Sequence, residues 1–134
     1  MHITATAVSL NVPDVDASRD FLRAHFGFEV AMSADGFASL TRPDAGVNVI
    51  FLRAGLSTFK PDTHRDAAGP GLLLVFVVDD IDAEWERLRD LVPIATSIET
   101  EPWGERYFQV LDPNGIVIQL VQWVEVAADV ATSD

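Results

Sequence analysis

Three histidines are the first candidates for acid–base or metal chemistry in this chain. His2 lies near the N-terminus, His25 late in a predicted helix and His64 in a predicted loop. They have neither the H-x-E nor the H-x-x-x-H spacing that would place two ligands on one face of an element. The chain contains no cysteine, which excludes disulfides, thiolate ligands and a cysteine nucleophile. These residue types therefore predict no metal site and no thiol chemistry.

Other catalytic groupings also lack partners in the sequence. Ser9 has no identifiable histidine and acid to work with, and the G-x-S-x-G motif of a nucleophilic serine is absent. Acid–base chemistry without a metal needs a pocket carboxylate with a raised pKa, but no aspartate or glutamate falls at an inward strand position. Glu101 and Glu105 flank Trp103, where they either attract a cation or are simply solvated.

The elements that must position these residues occur twice. Val12–Ala17 ends one predicted strand and begins a helix, and Val78–Ala83 repeats that corner. The offset is 66 residues, counted from Asp14 to Asp80. A corner that recurs at half the chain length predicts two copies of one module, which can fold around a shared groove.

Each module is predicted to contain a strand, a helix and three further strands. Alternating apolar residues indicate strands, and apolar residues at spacings of three and four indicate helices. In the first helix Asp14 or Asp16 is the predicted N-cap and Gly27 the C′ residue. We predict a first module at residues 1–54, a linker at 55–71, a second module at 72–124 and a frayed tail at 125–134, together forming a single domain.

Composition limits the class of partner. The 134 residues carry a net charge of -12, which would repel a nucleic-acid backbone and attract a cationic small molecule. A hydrophobic content of 49% indicates a globular protein. No apolar run approaches the roughly 20 residues of a membrane span, and the N-terminus lacks the pattern of a signal peptide. We therefore expect a cytoplasmic protein without nucleic-acid or membrane partners.

The order of three motifs resembles the vicinal oxygen chelate superfamily, which includes glyoxalase I, extradiol dioxygenases and bleomycin-resistance proteins. The motifs are Leu10–Ser18, Phe26–Glu29, and Trp103–Phe108 leading into Asp112–Gly115. The resemblance covers most of the chain, from about residue 3 to residue 124. It implies an α+β fold in which two βαβββ modules form curled mixed sheets around a cleft, and it implies a homodimer.

The resemblance also indicates where metal-using members place their ligands, in the first and fourth strands of each module. The corresponding residues are Ala7, Ile50, Leu73 and Gln119. Three of them have no donor atom, and the amide oxygen of Gln119 is a single weak ligand, whereas a divalent cation needs several. We therefore expect no metal and no other cofactor, which places the chain nearest to the non-metal binding branch.

Alternation along the strands predicts which side chains line the cleft. If Ala7 faces the cleft, the same count brings in Ser9, Asn48, Ile50, Leu73 and Gln119. Such a wall is mostly apolar, with a few isolated amides and a hydroxyl. This pattern suits the binding of a drug-sized molecule better than the activation of a bond.

Aromatic residues are the other predicted ligand contacts. Trp103 is either an exposed platform for stacking or a tryptophan buried under its loop. Phe37 is placed opposite it by the 66-residue offset between the modules. Of Tyr107 and Phe108, one lines the cleft and the other belongs to the core. Phe59 in the linker is either a lid residue or an anchor that holds the loop down.

Together these observations predict a non-catalytic protein that binds and sequesters an aromatic, cationic small molecule such as an antibiotic. Stacking on Trp103 and hydrogen bonds from Asn48 and Gln119 would hold the ligand. The alternatives are a metal-dependent lyase or dioxygenase with displaced ligands, and a metal-free isomerase of the same superfamily. A third interpretation is a structural or regulatory domain with a filled cleft.

Overall fold

The chain divides into two units, Met1–Pro70 and Gly71–Asp134, and each contains one copy of the predicted module. The structure, a computed structural model, describes residues 1–57 and 59–125, so the predicted tail lies outside the described residues apart from Glu125. In the first unit the elements are β1 (Ala7–Val12), α1 (Val15–Phe26), β2 (Glu29–Ala34), β3 (Phe37–Thr41) and β4 (Asn48–Arg53). In the second unit they are β5 (Leu73–Val77), α2 (Ile81–Leu88), β6 (Ile94–Thr100), β7 (Glu105–Leu111) and β8 (Val117–Trp123).

Each module forms a four-stranded mixed sheet with the same strand order. The first sheet has the order β1-β4-β3-β2, with β1 parallel to β4 and the other neighbours antiparallel. The second sheet, β5-β8-β7-β6, repeats this pattern with β5 parallel to β8. The predicted α+β class and the two βαβββ modules are confirmed. No helix in the described part of the chain has the length and hydropathy of a membrane span.

The two helices begin in the same way. Oδ1 of Asp14 accepts a hydrogen bond from the Ala17 backbone N–H at 3.1 Å, and Oδ1 of Asp80 accepts one from the Ala83 N–H at the same distance. Each aspartate therefore satisfies a backbone donor that the first helical turn leaves free. Gly27, with a φ of 68°, ends α1 in the left-handed conformation that glycine adopts most readily.

One face of each sheet packs against its helix and forms the core. In the first unit Leu10, Leu22 and Phe51 are almost completely buried. In the second unit Trp85 of α2 contacts Phe108 edge-to-face, with ring centroids 5.2 Å apart. Because side chains alternate along a strand, the residues between these core positions lie on the opposite face of each sheet. Of the residues that alternate with the predicted cleft positions, Leu10, Leu74, Ile118 and Leu120 are buried, and Val8 and Phe76 are half-buried.

Residues 55–57 and 59–70 belong to the first unit. They contain a 3₁₀ turn at Asp62–Arg65. The Ala68 N–H donates to the Asn11 carbonyl at 2.7 Å, and the Asn11 side-chain amide donates to the His64 carbonyl at 2.5 Å. These hydrogen bonds tie the predicted linker to the end of β1.

Candidate functional site

The face of the second sheet turned away from α2 is the candidate site, and we call it the open face. Phe108 and Leu120 are buried on the side of α2, so their neighbours in β7 and β8 lie on the other side. On the edge strand β5, Leu73, Val75 and Val77 are exposed by 45%, 46% and 67%. The open face consists of Leu73, Val75 and Val77 of β5, Glu105, Tyr107, Gln109 and Leu111 of β7, and Val117, Gln119, Val121 and Trp123 of β8. Glu105 contradicts the prediction that no aspartate or glutamate lies at an inward strand position, because that prediction did not include β7.

A polar row crosses this face between two mainly apolar rows. Strand pairing places Val75 beside Gln119, Gln119 beside Gln109, and Gln109 beside Thr96 of β6. We call Thr96, Gln109 and Gln119 the amide row. The neighbouring rows are Val77, Val121 and Tyr107 on one side and Leu73, Val117 and Leu111 on the other.

Hydrogen bonds connect the amide row from end to end. The Thr96 hydroxyl donates to Oε1 of Gln109 at 2.9 Å, and Nε2 of Gln109 donates to Oε1 of Gln119 at 2.8 Å. Gln119 is only 7% exposed, and no acceptor in the described part of the chain binds its Nε2. Its amide nitrogen is therefore held in position with its own hydrogen-bonding capacity unused.

Tyr107 lies on the open face, and Phe108 is the fully buried core residue of the pair. The Tyr107 hydroxyl lies 2.6 Å from Oε1 of Glu99 and 3.1 Å from Oε1 of Glu101. The hydrogen bond to Glu99, followed by desolvation and the bond to Glu101, raises the pKa of Tyr107 well above its ordinary value of 10.0. The phenol therefore stays protonated and serves as a donor, not as a base or nucleophile.

Arg106 pairs with the helix and not with the neighbouring glutamates. Nη2 of Arg106 lies 2.6 Å from Oδ1 of Asp82 at the start of α2, and its Nη1 donates to the Thr100 hydroxyl at 2.8 Å. Arg106 therefore forms its ion pair with the start of α2, although Glu99 and Glu101 are closer to it in the sequence. Alternation explains the difference, because Arg106 points to the side of α2 while Tyr107 points away from it.

Trp103 lies on the turn that joins β6 to β7. The Gly104 N–H donates to the Glu101 carbonyl at 2.9 Å and closes the turn, and Gly104 has a φ of 95°. Trp103 is 59% exposed, so the alternative in which it is buried under its loop is wrong. Its role as a stacking platform remains a prediction.

The first unit holds the remaining predicted contacts. Ser9 pairs with Ile50, and Asn48 pairs with Ala7, so these side chains share the face of the first sheet turned away from α1. Phe37 is on the same face, beside Leu52. Phe59 is half-buried in the stretch between β4 and β5. The ligand contacts assigned to these residues remain predictions.

The counterpart of Phe37 is Tyr107 and not Trp103. Phe37 pairs with Leu52 in the first sheet as Tyr107 pairs with Val121 in the second. The 66-residue offset fails here because the two hairpins differ in length: Phe37 follows its partner Ala34 by three residues, whereas Tyr107 follows its partner Glu99 by eight. Placing Phe37 at a position equivalent to Trp103 was therefore wrong.

Sequence reasoning missed two members of the amide row, Thr96 and Gln109. A signal for Gln109 was present, since the turn at Asp112–Gly115 sets the register of β7 against β8 and so places Gln109 opposite Gln119. No such signal existed for Thr96, because the pairing of β6 with β7 contains two register shifts.

The four positions where the family places metal ligands do not fit a divalent cation. Ala7, Ile50 and Leu73 have no donor atom, and Oε1 of Gln119 already accepts a hydrogen bond from Gln109. Elsewhere among the described residues, no group of three or more histidine, cysteine, aspartate or glutamate side chains is placed to hold an ion.

The histidines are scattered through the first unit and do not converge. His2 and His64 are exposed. The His25 ring contacts Phe21 edge-on, with ring centroids 4.9 Å apart, on the buried side of α1. Packing against Phe21 therefore explains the half-buried position of His25.

Comparisons with solved structures show close similarity of fold. A glyoxalase/bleomycin resistance protein/dioxygenase from Nocardioides is 24% identical, with a TM-score of 0.76, over 95% of this chain and 87% of that one. A lactoylglutathione lyase from Agrobacterium tumefaciens is 19% identical, with a TM-score of 0.71, over 90% and 94% of the two chains. TnmS3, an antibiotic binding protein from Streptomyces sp. CB03234, is 25% identical, with a TM-score of 0.68, over 91% and 98%.

The family assignment comes from a comparison of the sequence with models of protein families. A comparison with curated proteins gives no match. The family described as Glyoxalase/Bleomycin resistance protein/Dioxygenase superfamily matches residues 2–120. That range includes both copies of the βαβββ module except the end of β8. This chain therefore belongs to the Glyoxalase/Bleomycin resistance protein/Dioxygenase superfamily.

Proposed function

We propose that this protein binds and sequesters an aromatic, cationic small molecule without catalysing a reaction on it. The observation that carries the proposal is the exposed apolar surface of the open face. The three apolar residues of β5 are exposed there, and Trp123 and Trp103 expose more than half of their surface at one end of the sheet. Several large apolar side chains exposed on one sheet support a binding site on this face.

The preference for a cation rests on charge around Tyr107. Its hydroxyl has one proton to donate, whereas Glu99 and Glu101 both lie within hydrogen-bond distance of it. A hydrogen bond from a neutral phenol does not cancel the charge of a carboxylate, so negative charge remains beside the aromatic ring. The net charge of -12 adds long-range attraction for a cation, and an exposed tryptophan offers cation–π contact.

The absence of catalysis is proposed from the groups on the open face. Its one phenol is held protonated, and its amides are neutral at any accessible pH. Glu99 and Glu101 both lie within hydrogen-bond distance of the Tyr107 hydroxyl. None of these groups has the adjacent base that activates a nucleophile.

An antibiotic is the proposed ligand class. TnmS3 is described as an antibiotic binding protein, and it covers nearly the whole of this chain at 25% identity. On the first sheet, Ser9, Asn48, Ile50 and Phe37 are proposed as further contacts, together with Phe59. A homodimer and a cytoplasmic location are also proposed, and sedimentation analysis of the purified protein would test the first of these.

Binding is tested with proflavine, a cationic three-ring aromatic, and with the neutral three-ring compound fluorenone as comparison. We expect calorimetric titration to show saturable proflavine binding that is tighter than fluorenone binding. Trp103→Ala should weaken proflavine binding by about tenfold, whereas Trp103→Phe retains most of it, because stacking contributes roughly 1–2 kcal/mol. Failure of both compounds to bind, or unchanged binding by Trp103→Ala, would contradict the proposed site.

The second candidate is a metal-dependent lyase or dioxygenase, or a metal-free isomerase. It is retained because one structure of similar fold is described as a lactoylglutathione lyase. Elemental analysis of the purified protein separates the two candidates. We expect no stoichiometric zinc, nickel, manganese or iron, and one equivalent of any of them would favour the metal-dependent enzyme.

A further inference from the structure

The amide row can form its hydrogen bonds in either direction. As found, the Thr96 hydroxyl donates to Gln109, and Gln109 donates to Gln119, which leaves the Gln119 nitrogen free. The two ends of an amide are similar in size, and a hydroxyl can donate or accept. With both amides turned over, Gln119 donates to Gln109, Gln109 donates to Thr96, and the Gln119 oxygen becomes the free group.

The free end of this row is accessible but framed by apolar side chains. Arg65 Nε is the only fully buried polar side-chain atom without a partner in the described part of the chain, so Nε2 of Gln119 retains contact with solvent. Val75 lies beside Gln119, and Val117 and Val121 lie next to it on the same strand and face. A hydrogen bond made in such a frame is strengthened once a ligand displaces water.

We propose that the amide row is a reversible hydrogen-bond relay, which lets the open face satisfy either an acceptor or a donor on its ligand. The inference rests on the proposed function and deepens it. The ligand class it defines is a flat aromatic compound that carries either a carbonyl oxygen or an N–H on its edge. Thr96 and Gln109 act as positioning residues, because they contact Gln119 in sequence and set which end of its amide is free.

The first test uses three neutral tricyclic probes of matched shape. Fluorenone carries an acceptor, carbazole carries a donor and fluorene carries neither. For the unmodified protein we expect fluorenone and carbazole to bind with affinities within about threefold of each other, and both about tenfold more tightly than fluorene. A tenfold preference for one of the two polar probes would overturn the relay, since it would mean that the row has a fixed direction.

The second test changes Thr96, at the opposite end of the amide row from Gln119, so that the hydrogen bonds of the row can form in only one direction. Thr96→Asp supplies a group that only accepts, so Gln109 must donate to it and Gln119 must donate to Gln109. The Gln119 oxygen is then the free group, and carbazole should be preferred over fluorenone by about tenfold. Thr96→Asn is the matched control, because its amide donates or accepts and should leave the two affinities close. An unchanged ratio in Thr96→Asp overturns the proposal.

A third measurement is independent of any ligand and covers the case in which Thr96→Asp does not fold. Gln109→Glu also provides only acceptors and fixes the same direction. In NMR spectra of the free protein, a side-chain amide proton of Gln119 should move downfield and exchange more slowly with water in either variant. Unchanged Gln119 resonances overturn the relay. Failure of all three probes to bind, with the NMR change present, would instead reject the proposed function at this face.

Discussion

The two sheets share a skeleton but differ in the chemistry of the faces turned away from their helices. The strand order, the parallel pair and the capping aspartate are the same in both units. On the edge strands, however, small and polar residues of the first unit are replaced by large apolar ones in the second. The matched pairs are Ala7 with Leu73, Ser9 with Val75 and Asn11 with Val77.

The central strands differ in the opposite sense. Ile50 of β4 occupies the place of Gln119 in β8, and Ser39 of β3 occupies the place of Gln109 in β7. The core positions are therefore apolar in both units, while the residues on the faces turned away from the helices differ. Duplication gives two equivalent scaffolds, and the chemistry on each face distinguishes them.

The largest expected effect tests whether the two cores contribute equally. Leu22 of α1 and Leu88 of α2 are matched positions with exposures of 1% and 0%. Each change to alanine should lower the free energy of unfolding by about 2–5 kcal/mol, because it leaves a cavity in a packed core. Urea denaturation measures the change. If one substitution cost less than 1 kcal/mol, the two units would not be equivalent in packing.

An exchange of residues between the edge strands tests the difference between the open faces. Val75→Ser gives the second sheet the residue of the first and should weaken proflavine binding by about tenfold, since a buried valine contributes roughly 1.5 kcal/mol. The matched change Ser9→Val adds apolar surface at a proposed contact of the first sheet and should therefore not weaken proflavine binding. Titration calorimetry reads both variants. Equal effects would show that the two faces do not differ in the way proposed.

The helix caps give a smaller effect that should be the same in both units. Asp14→Ala and Asp80→Ala remove the carboxylates that accept the Ala17 and Ala83 N–H groups, respectively. Each should cost about 1 kcal/mol of unfolding free energy, and the corresponding serine variants should restore most of it. Thermal denaturation followed by circular dichroism suffices. Costs that differ by more than 1 kcal/mol would contradict the equivalence of the two corners.

The smallest expected effect is on the contribution that an ion pair near the start of each helix makes to stability at low pH. The hydrogen bond from Arg106 lowers the pKa of Asp82 below its ordinary value of 3.8, whereas the matched Asp16 pairs with Arg19 inside its own helix. A carboxyl with a lowered folded-state pKa stabilises the fold above its unfolded-state pKa and loses that contribution as the pH falls through the lowered value.

Asp82→Asn should therefore reduce the loss of melting temperature between about pH 4 and pH 2, and Asp16→Asn should change it less. Melting curves of the two variants and the unmodified protein at each pH make the comparison. A larger effect for Asp16→Asn would show that the tie between α2 and β7 is not the more important one.

The helices, strands and helix caps were predicted well, because each depends on the residues of one short stretch of sequence. Residue type restricted the N-cap of α1 to Asp14 or Asp16, of which Asp14 is the cap, and it placed Gly27 at the C′ position. Leu10 and Leu120, which alternate with predicted cleft residues, are buried in the core. Two of the nine predicted contacts, Tyr107 and Gln119, lie on the open face. The residues beside them on that face follow from how the strands are paired.

What the sequence did not reveal depends on contacts between elements. The partner of Arg106 lies on α2, and nothing within β7 indicates Asp82 as its position. Thr96 joins the amide row only through a strand pairing with two irregularities. The equivalence of Phe37 and Tyr107 was hidden because hairpins of different length shift the offset between the copies.

The arrangement of the amide row has a consequence for medicinal chemistry. A drug carbonyl that accepts one fixed hydrogen bond can be replaced by an N–H. The drug N–H then faces the N–H of the protein, and binding is lost because both groups are donors. A row that ends in a threonine hydroxyl can turn over and accept the redesigned compound. Only added bulk that clashes with the valines of the open face would then prevent binding, because a valine side chain has no hydrogen-bonding group that could turn over.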